Sequence, residues 1–157
     1  MLIPILLLLL AQNTNSGAVV DAATIASTMK HSVDNNILDT KMNETAVKGG
    51  IVRVGIVHRK NVEAAPLMHQ ELTEIYQILE GSGTISIGGT MPNPRPVHDP
   101  PNLGPTPSFQ GEQVGGVTRK VGPKDVVIVP AGSPHHFVQL DGPISYVIYR
   151  FEPVPAK

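Results

Sequence analysis

The chain has 157 residues, with 15 glycines, 15 prolines, no cysteine and a formal net charge of -1. Its length indicates one domain, and the absence of cysteine excludes a disulfide framework and a thiolate metal site, so that any metal must be held by His, Asp or Glu. Because Lys and Arg form no basic run, the sequence also argues against nucleic acid or an anionic membrane surface as a partner.

The amino terminus carries a continuous apolar run from Leu2 to Ala11, followed at once by the polar stretch 12–17. A run of this length is typical of a signal-peptide core and is shorter than the about 20 residues of a membrane span, although no basic residue precedes it. We predict that residues 1–18 are a signal peptide cleaved after Ala11 or Ala18. The mature protein would then be exported, periplasmic or secreted, without membrane association; a buried strand or helix is the alternative.

Residues 19–48 are predicted to hold one short helix and a polar linker. Apolar residues recur there at spacings of three and four, and Asp21 is placed to cap the helix, which we expect to end near His31. The recurring residues are Ala22, Ile25, Ala26 and Met29.

Beyond Gly49 the sequence changes to short apolar, β-branched runs separated by turns rich in Gly and Pro. This texture predicts an all-β domain over 49–157, built as an antiparallel double-sheet sandwich or β-barrel. The expected strands are 51–57, 74–79, 84–87, 117–121, 126–129, 137–140 and 144–151.

A proline-rich insertion interrupts the strands between Met91 and Gly116, where seven prolines occur. Proline lacks the N–H that strand pairing needs, so the insertion is predicted to be a loop rather than a strand pair. A lid or contact surface and a disordered segment are equally compatible with it.

Three residues make the strongest functional signal: His69, Glu74 and His135. An odd separation on one strand would turn His69 and Glu74 to opposite faces, so they can converge only if residues 70–73 bend between two strands. Parity on the later strand groups His135 with Phe137 and Gln139, and turns His136 away. Two imidazoles and one carboxylate are the ligand mix of a facial metal site with open positions.

These motifs resemble those of the cupin superfamily. The segment from His69 to Gly83, with Glu74 seven residues before Gly81, is similar to the first cupin motif, and residues 122–135 are similar to the second. Gln139 stands where that family usually has asparagine. The resemblance covers roughly residues 50–152 and is greatest to small exported single-domain bacterial cupins; it implies a small antiparallel cupin (jelly-roll) barrel with one interior metal, usually in a homodimer or higher homo-oligomer.

One position departs from the cupin pattern. The first cupin motif carries two histidines, and the first of them would fall on Leu67, which cannot ligate. The resemblance therefore implies a ligand set reduced to His69, Glu74 and His135, with Glu71, His58 and His98 as less favoured substitutes. Such a set suits Fe, Mn, Ni or Zn rather than Ca, which prefers six or more oxygens.

Three hypotheses for function follow. The first is a metal-dependent oxygenase, isomerase or lyase acting on a small molecule, with Tyr76 as general acid and Gln139 orienting the substrate. The second is a non-catalytic exported binding protein. The third is an assembly protein that uses the barrel as a scaffold and the proline-rich loop as a contact between subunits.

Overall fold

A computed structural model of the chain describes residues 17–98 and 104–154, so the predicted signal peptide, apart from its last two residues, lies outside the described residues. These ranges contain one helix and eleven strands: α1 (Ala22–Asn35), β1 (Asp39–Val47), β2 (Gly50–Arg59), β3 (Leu67–His69), β4 (Thr73–Glu80), β5 (Gly83–Ile87), β6 (Arg95–Val97), β7 (Ser108–Gln110), β8 (Val117–Val121), β9 (Val126–Val129), β10 (His135–Leu140) and β11 (Ile144–Pro153). In the same ranges, no helix has the length and apolarity needed to span a membrane.

The strands form two antiparallel sheets with their inward faces packed together. One sheet has the order β1-β2-β11-β4-β9 and the other β6-β7-β3-β10-β5-β8. The core between them includes Tyr76, Ile78 and Tyr146 from the first sheet and Ile85 and Phe137 from the second. The predicted all-β double-sheet fold with one N-terminal helix is confirmed, and each of the seven expected strands is present.

The sheets are not closed into a barrel, which corrects that part of the prediction. In the described ranges, each of the edge strands β1, β9, β6 and β8 pairs with a single neighbour. Packing of side chains across the interior, rather than a continuous ladder of hydrogen bonds, therefore holds the two sheets together.

The helix begins as predicted and ends later. The Asp21 side chain accepts a hydrogen bond of 2.7 Å from the Thr24 N–H, as an N-cap does. The helix continues past His31 and ends at Asn35, where Asn36 adopts a left-handed conformation with φ of 53°. Asn tolerates this conformation better than most residues, which makes it a natural helix end.

The stretch predicted as a polar linker contains strand β1, which pairs along its length with β2. Its residues are mostly polar because it is an edge strand with no fully buried position. An edge strand with one partner needs little apolar surface. For this reason β1 lacks the apolar alternation from which a strand is predicted. The linker prediction was wrong here, and β1 brings Asp39 into the molecule.

The proline-rich insertion also contains two short strands, which corrects the prediction of a loop without a strand pair. Strand β6 pairs with β7, and β7 pairs with β3, so the insertion extends the second sheet. Pro96 is accommodated because β6 is an edge strand, where a missing N–H is tolerated. Strand β7, which has a partner on each side, contains no proline. The insertion thereby reaches the strand that ends at His69.

Candidate metal centre

His69 and Glu74 converge because the chain crosses from one sheet to the other between them. Strand β3, in the six-stranded sheet, ends at His69, and β4, in the five-stranded sheet, begins at Thr73. Leu72 is buried in the bend, and the His69 carbonyl accepts a hydrogen bond of 2.8 Å from the Gly132 N–H. The predicted bend between two strands is confirmed, and it turns both side chains toward the space between the sheets.

Strand β10 supplies His135 next to β3, with His135 opposite Leu67 in register. His135 and Phe137 are buried and His136 is less so, as parity predicted. The pairing with β5 shifts register between Phe137 and Gln139, however, and this bulge breaks the parity. Gln139 is exposed and its amide donates to Asp141, so the structure does not bring it to the site as predicted.

His69, Glu74 and His135 form one buried cluster. Each of them offers one ligand atom, and these three atoms lie within 4.8 Å of one another. The two imidazole ring centroids are 5.5 Å apart. Two nitrogens and one carboxylate oxygen at such separations can converge on a single ion of the first transition series.

The Nδ1 atom of each histidine is engaged by a second residue. His69 Nδ1 lies 2.6 Å from Ser108 Oγ, and His135 Nδ1 lies 3.0 Å from the Ser133 carbonyl oxygen. Such outer contacts fix the orientation of metal-binding imidazoles and leave Nε2 as the coordinating atom. Strand β7 of the insertion therefore helps to position a ligand.

The contact between His135 and Glu74 fits a cation. Because a carbonyl only accepts, His135 carries a proton on Nδ1, and its Nε2 is the atom that remains for Glu74 or for a metal ion. This Nε2 faces Glu74 Oε2 at 3.4 Å. In the metal-free protein a proton on Nε2 lets the ring donate to the carboxylate, and a bound metal ion would replace that proton as the positive species between the two groups.

Glu74 is held as a carboxylate by its surroundings. Burial alone would raise its pKa, but the contact with His135 and the charge of Arg150 lower the pKa well below the usual value. Arg150 Nε donates to Oε1 at 3.0 Å, and the Tyr76 hydroxyl donates to Oε2 at 2.7 Å. The carboxylate is therefore present as an anionic ligand, although two neighbours already contact it.

Glu74 raises the pKa of both Tyr76 and His135, whereas burial acts on the two residues in opposite directions. Burial and the charge of Glu74 raise the pKa of Tyr76 well above 10, so its hydroxyl remains a hydrogen-bond donor. For His135, burial lowers the pKa, but the hydrogen bond and charge of Glu74 outweigh this effect and raise it.

The cluster lies in a cavity of about 280 Å³ between the sheets. Tyr76, Tyr146 and Leu67 line it beside the three candidate ligands, together with the charged residues Asp39, Arg59, Glu63 and Arg150. A space of this size admits a small molecule next to an ion.

Among the described residues, none of the three substitute ligands belongs to the cluster of His69, Glu74 and His135. His58 Nδ1 lies 2.9 Å from Ser145 Oγ, outside the cluster. Glu71 is exposed in the bend, and His98 is exposed while lining the cavity. Leu67 lines the cavity as the position of the missing cupin histidine would predict.

Sequence reasoning missed the polar residues that surround the ligands. Arg150 had a readable signal, since it shares the parity of Tyr146 and Ile148, which line the cavity, and a buried arginine requires an acidic partner. Ser108 and Asp39 had none, because their strands were not predicted.

Comparisons with known proteins give fold likeness only. No family model and no curated protein matches the chain. Among solved structures, BH2720 from Bacillus halodurans is 13% identical over 91% of this chain and 86% of its own, with a TM-score of 0.48. The Cnp3 cupin domain of Schizosaccharomyces pombe is 12% identical over 73% of this chain and 63% of its own, with a TM-score of 0.44.

A third structure, an oxalate oxidase, is 16% identical over 75% of this chain and 52% of its own, with a TM-score of 0.45. The chain thus spans about half of the oxidase and somewhat less than two thirds of the Cnp3 chain. One of these similar structures is a cupin domain, which agrees with the predicted resemblance of the chain to cupins. Identities this low say nothing about activity.

Proposed function

We propose that the protein binds one divalent metal through His69, Glu74 and His135. The metal binds a small molecule in the adjoining cavity, and the protein acts as an enzyme that transforms this molecule. The observation that carries this proposal is the convergence of the three ligand atoms within 4.8 Å. The two Nδ1 atoms held by Ser108 and Ser133 add to it, because they turn the remaining nitrogens to ligation.

Three protein ligands leave coordination positions for water or a ligand, and Fe, Mn, Ni and Zn all suit the donor set. Bound there, such an ion supplies Lewis-acid or redox chemistry. Tyr76 orients the bound molecule. Its protonated hydroxyl donates to Glu74, and when the metal ion binds this carboxylate the hydroxyl becomes free to donate to an oxygen of the small molecule.

Metal analysis of the protein purified without chelators or a histidine tag tests the proposal directly. We expect close to one equivalent of metal per chain, lost in His135→Ala and retained in His136→Ala, which changes the neighbouring imidazole that contacts Gln113. Equal metal content in the two variants, or none in the parent after incubation with each metal, would refute it. A filled site that binds small molecules without turnover would identify a binding protein rather than an enzyme.

We also propose export, from the apolar run of residues 2–11. The mass of the mature protein from its native host should correspond to cleavage after Ala11 or Ala18. A species that starts at Met1 in the cytoplasm would contradict it.

A homodimer or higher homo-oligomer is the third part of the proposal. Val126 and Ile128 on the edge strand β9 are 59% and 60% exposed, which gives one edge of the molecule an apolar surface. Light scattering of the purified protein should give at least twice the mass of the chain, and Ile128→Lys should lower it.

A further inference from the structure

A second charged pair in the cavity lies apart from the candidate ligands. Arg59 Nη2 contacts Glu63 Oε1 at 2.9 Å, and the side chains of Arg59 and Glu63 are only 13% and 10% exposed. Glu63 Oε2 also accepts a hydrogen bond of 2.9 Å from the Phe137 N–H. Glu63 is therefore fixed from two sides, and it holds the guanidinium of Arg59 in place.

The guanidinium retains unused binding capacity. The Tyr146 hydroxyl lies against it, and Arg59 Cζ is 6.0 Å from the Phe137 ring centroid. Arg59 Nε is buried, and no hydrogen-bond acceptor for it occurs among the described residues. A buried charged donor without an acceptor is costly, and a guanidinium is the group best shaped to bind a carboxylate with two N–H groups.

Arg59 and Glu63 also stand between two cavities. A second cavity of about 430 Å³ shares both residues with the first, and Lys60 and His58 line it. Leu38, Leu67 and Gln110 also line both cavities, and Arg59 and Glu63 are the charged residues of this shared wall. Lys60 is exposed and lines the second cavity, so its cation is available to attract an anion toward Arg59.

The formal charges of the inner cavity indicate the charge of its occupant. Three carboxylates, Asp39, Glu63 and Glu74, face two guanidinium groups, Arg59 and Arg150, which leaves -1 with the histidines neutral. A divalent ion changes this to +1. A monoanion then makes the site neutral, whereas a dianion such as a phosphate ester would leave it charged again.

We propose that the small molecule is a monocarboxylate, bound with its carboxylate on Arg59 and with the rest of the molecule directed toward the metal. This inference rests on the metal site proposed above. Arg59 is a binding and specificity residue in it and does not ligate the ion.

Titration calorimetry on the full chain loaded with Zn²⁺ tests the proposal with butyrate and butyramide, which share a shape and differ in charge. We expect butyrate to bind at least about tenfold more tightly than butyramide. Arg59→Gln should lower the butyrate affinity about tenfold or more and leave the Zn²⁺ affinity unchanged, with Arg59→Lys between them because it keeps the charge and loses the fork.

Glu63→Gln should change the butyrate affinity in the opposite direction. A gain of affinity cannot result from a folding defect, so this variant keeps the test valid if the arginine variants fold poorly. It keeps an amide oxygen for the Phe137 N–H and frees Arg59, so butyrate should bind more tightly. Equal affinities for butyrate and butyramide, or an unchanged butyrate affinity in both Arg59→Gln and Glu63→Gln, would overturn the carboxylate proposal while the metal site stands. A parent chain that binds no Zn²⁺ would overturn both.

Discussion

The inward faces of the two sheets divide into two regions that run along the same strands. Strand β4 carries Glu74 at one end and Ile78 at the other, and β11 passes from Ile144 to Arg150. We call the region of Ile78, Ile85, Phe137 and Ile144 the apolar end, and the region of His69, Glu74, His135 and Arg150 the polar end. Both are buried to a similar degree.

Equal burial has opposite energetic consequences in the two regions. At the apolar end, each side chain removed from water stabilises the fold. At the polar end, burial of charge costs free energy that the mutual contacts of Glu74, Arg150 and the histidines offset. The apolar end thus supports a region that stability alone would not favour, which is where a functional site is expected. The two regions should therefore respond differently to substitution.

The largest expected effect is at the polar end. Glu74→Gln removes the one anionic ligand and should lower metal affinity by about a hundredfold or more, since even outer contacts are worth 10- to 100-fold. Metal content and competition with a chelating dye measure it. Glu71→Gln is the matched control, because Glu71 is exposed three residues away. A retained affinity in Glu74→Gln would show that the polar end is a structural ion-pair network.

The apolar end should show the reverse behaviour. Ile78 is 1% exposed, so Ile78→Ala should lower the free energy of unfolding by about 2–5 kcal/mol and leave one metal equivalent per folded chain. Urea denaturation gives the first quantity and metal analysis the second. Val47→Ala, at an exposed position of the same sheet, should change stability by less than about 0.5 kcal/mol. Loss of metal in folded Ile78→Ala would mean that the two regions are coupled.

The sequence predicted these two regions unequally, for physical reasons. Apolar alternation on β4, β5 and β11 produces a readable period, so the strands of the apolar end were predicted closely. The three candidate ligands were found through a motif and strand parity. Parity failed at Gln139 because a bulge between Phe137 and Gln139 adds a residue that no local pattern reveals.

The remaining polar groups come from places where the sequence pattern is weak. Asp39 lies on a polar edge strand, and Ser108 follows Pro107 and begins the three-residue strand β7 of the insertion. Their contacts with Arg150 and His69 span 111 and 39 residues of sequence. Such long-range pairs depend on the sheet order, which residue spacing does not specify.

Ser108 allows a test of how far the polar end depends on the insertion. Ser108→Ala removes the hydroxyl at His69 Nδ1 and should weaken metal binding by about 10- to 100-fold, less than the loss of Glu74. Ser133→Ala is its control, since His135 is held by the Ser133 carbonyl and not by its hydroxyl. Chelator competition compares them. Equal affinities in both variants would show that the insertion does not position the ligand.

Tyr146 lies where the two regions meet, with its ring centroid 4.7 Å from that of Tyr76. Burial raises the pKa of Tyr146 to about 12, from about 10 in an unfolded chain. A raised pKa contributes stability below pH 10 that is lost as the pH rises toward 12, on the order of 2–3 kcal/mol. The parent should lose that much more stability than Tyr146→Phe between pH 9 and 12 in urea titrations. Tyr149→Phe is the control and should lose as much stability as the parent over this pH range. If Tyr146→Phe also loses as much stability as the parent, the burial argument is contradicted.

The smallest expected effect comes from completing the ligand set. Leu67 lines the cavity opposite His135, at the position where the sequence resemblance predicts another histidine. Leu67→His should therefore add a third nitrogen and tighten metal binding about tenfold, or about 1.4 kcal/mol. The gain is modest because the new imidazole must lose water and adopt one rotamer. Leu67→Phe is the control for ring size without a donor atom.

Without metal, Leu67→His should be less stable than the parent, since it places a polar ring in an apolar position of the cavity, and the difference should narrow when metal is added. Metal-dependent melting of the parent and both variants measures this directly. If Leu67→His and Leu67→Phe bind metal equally, position 67 does not reach the ion, and its side chain serves only to shape the cavity. If Leu67→His alone gains affinity, the polar end is a ligand set from which one member is missing.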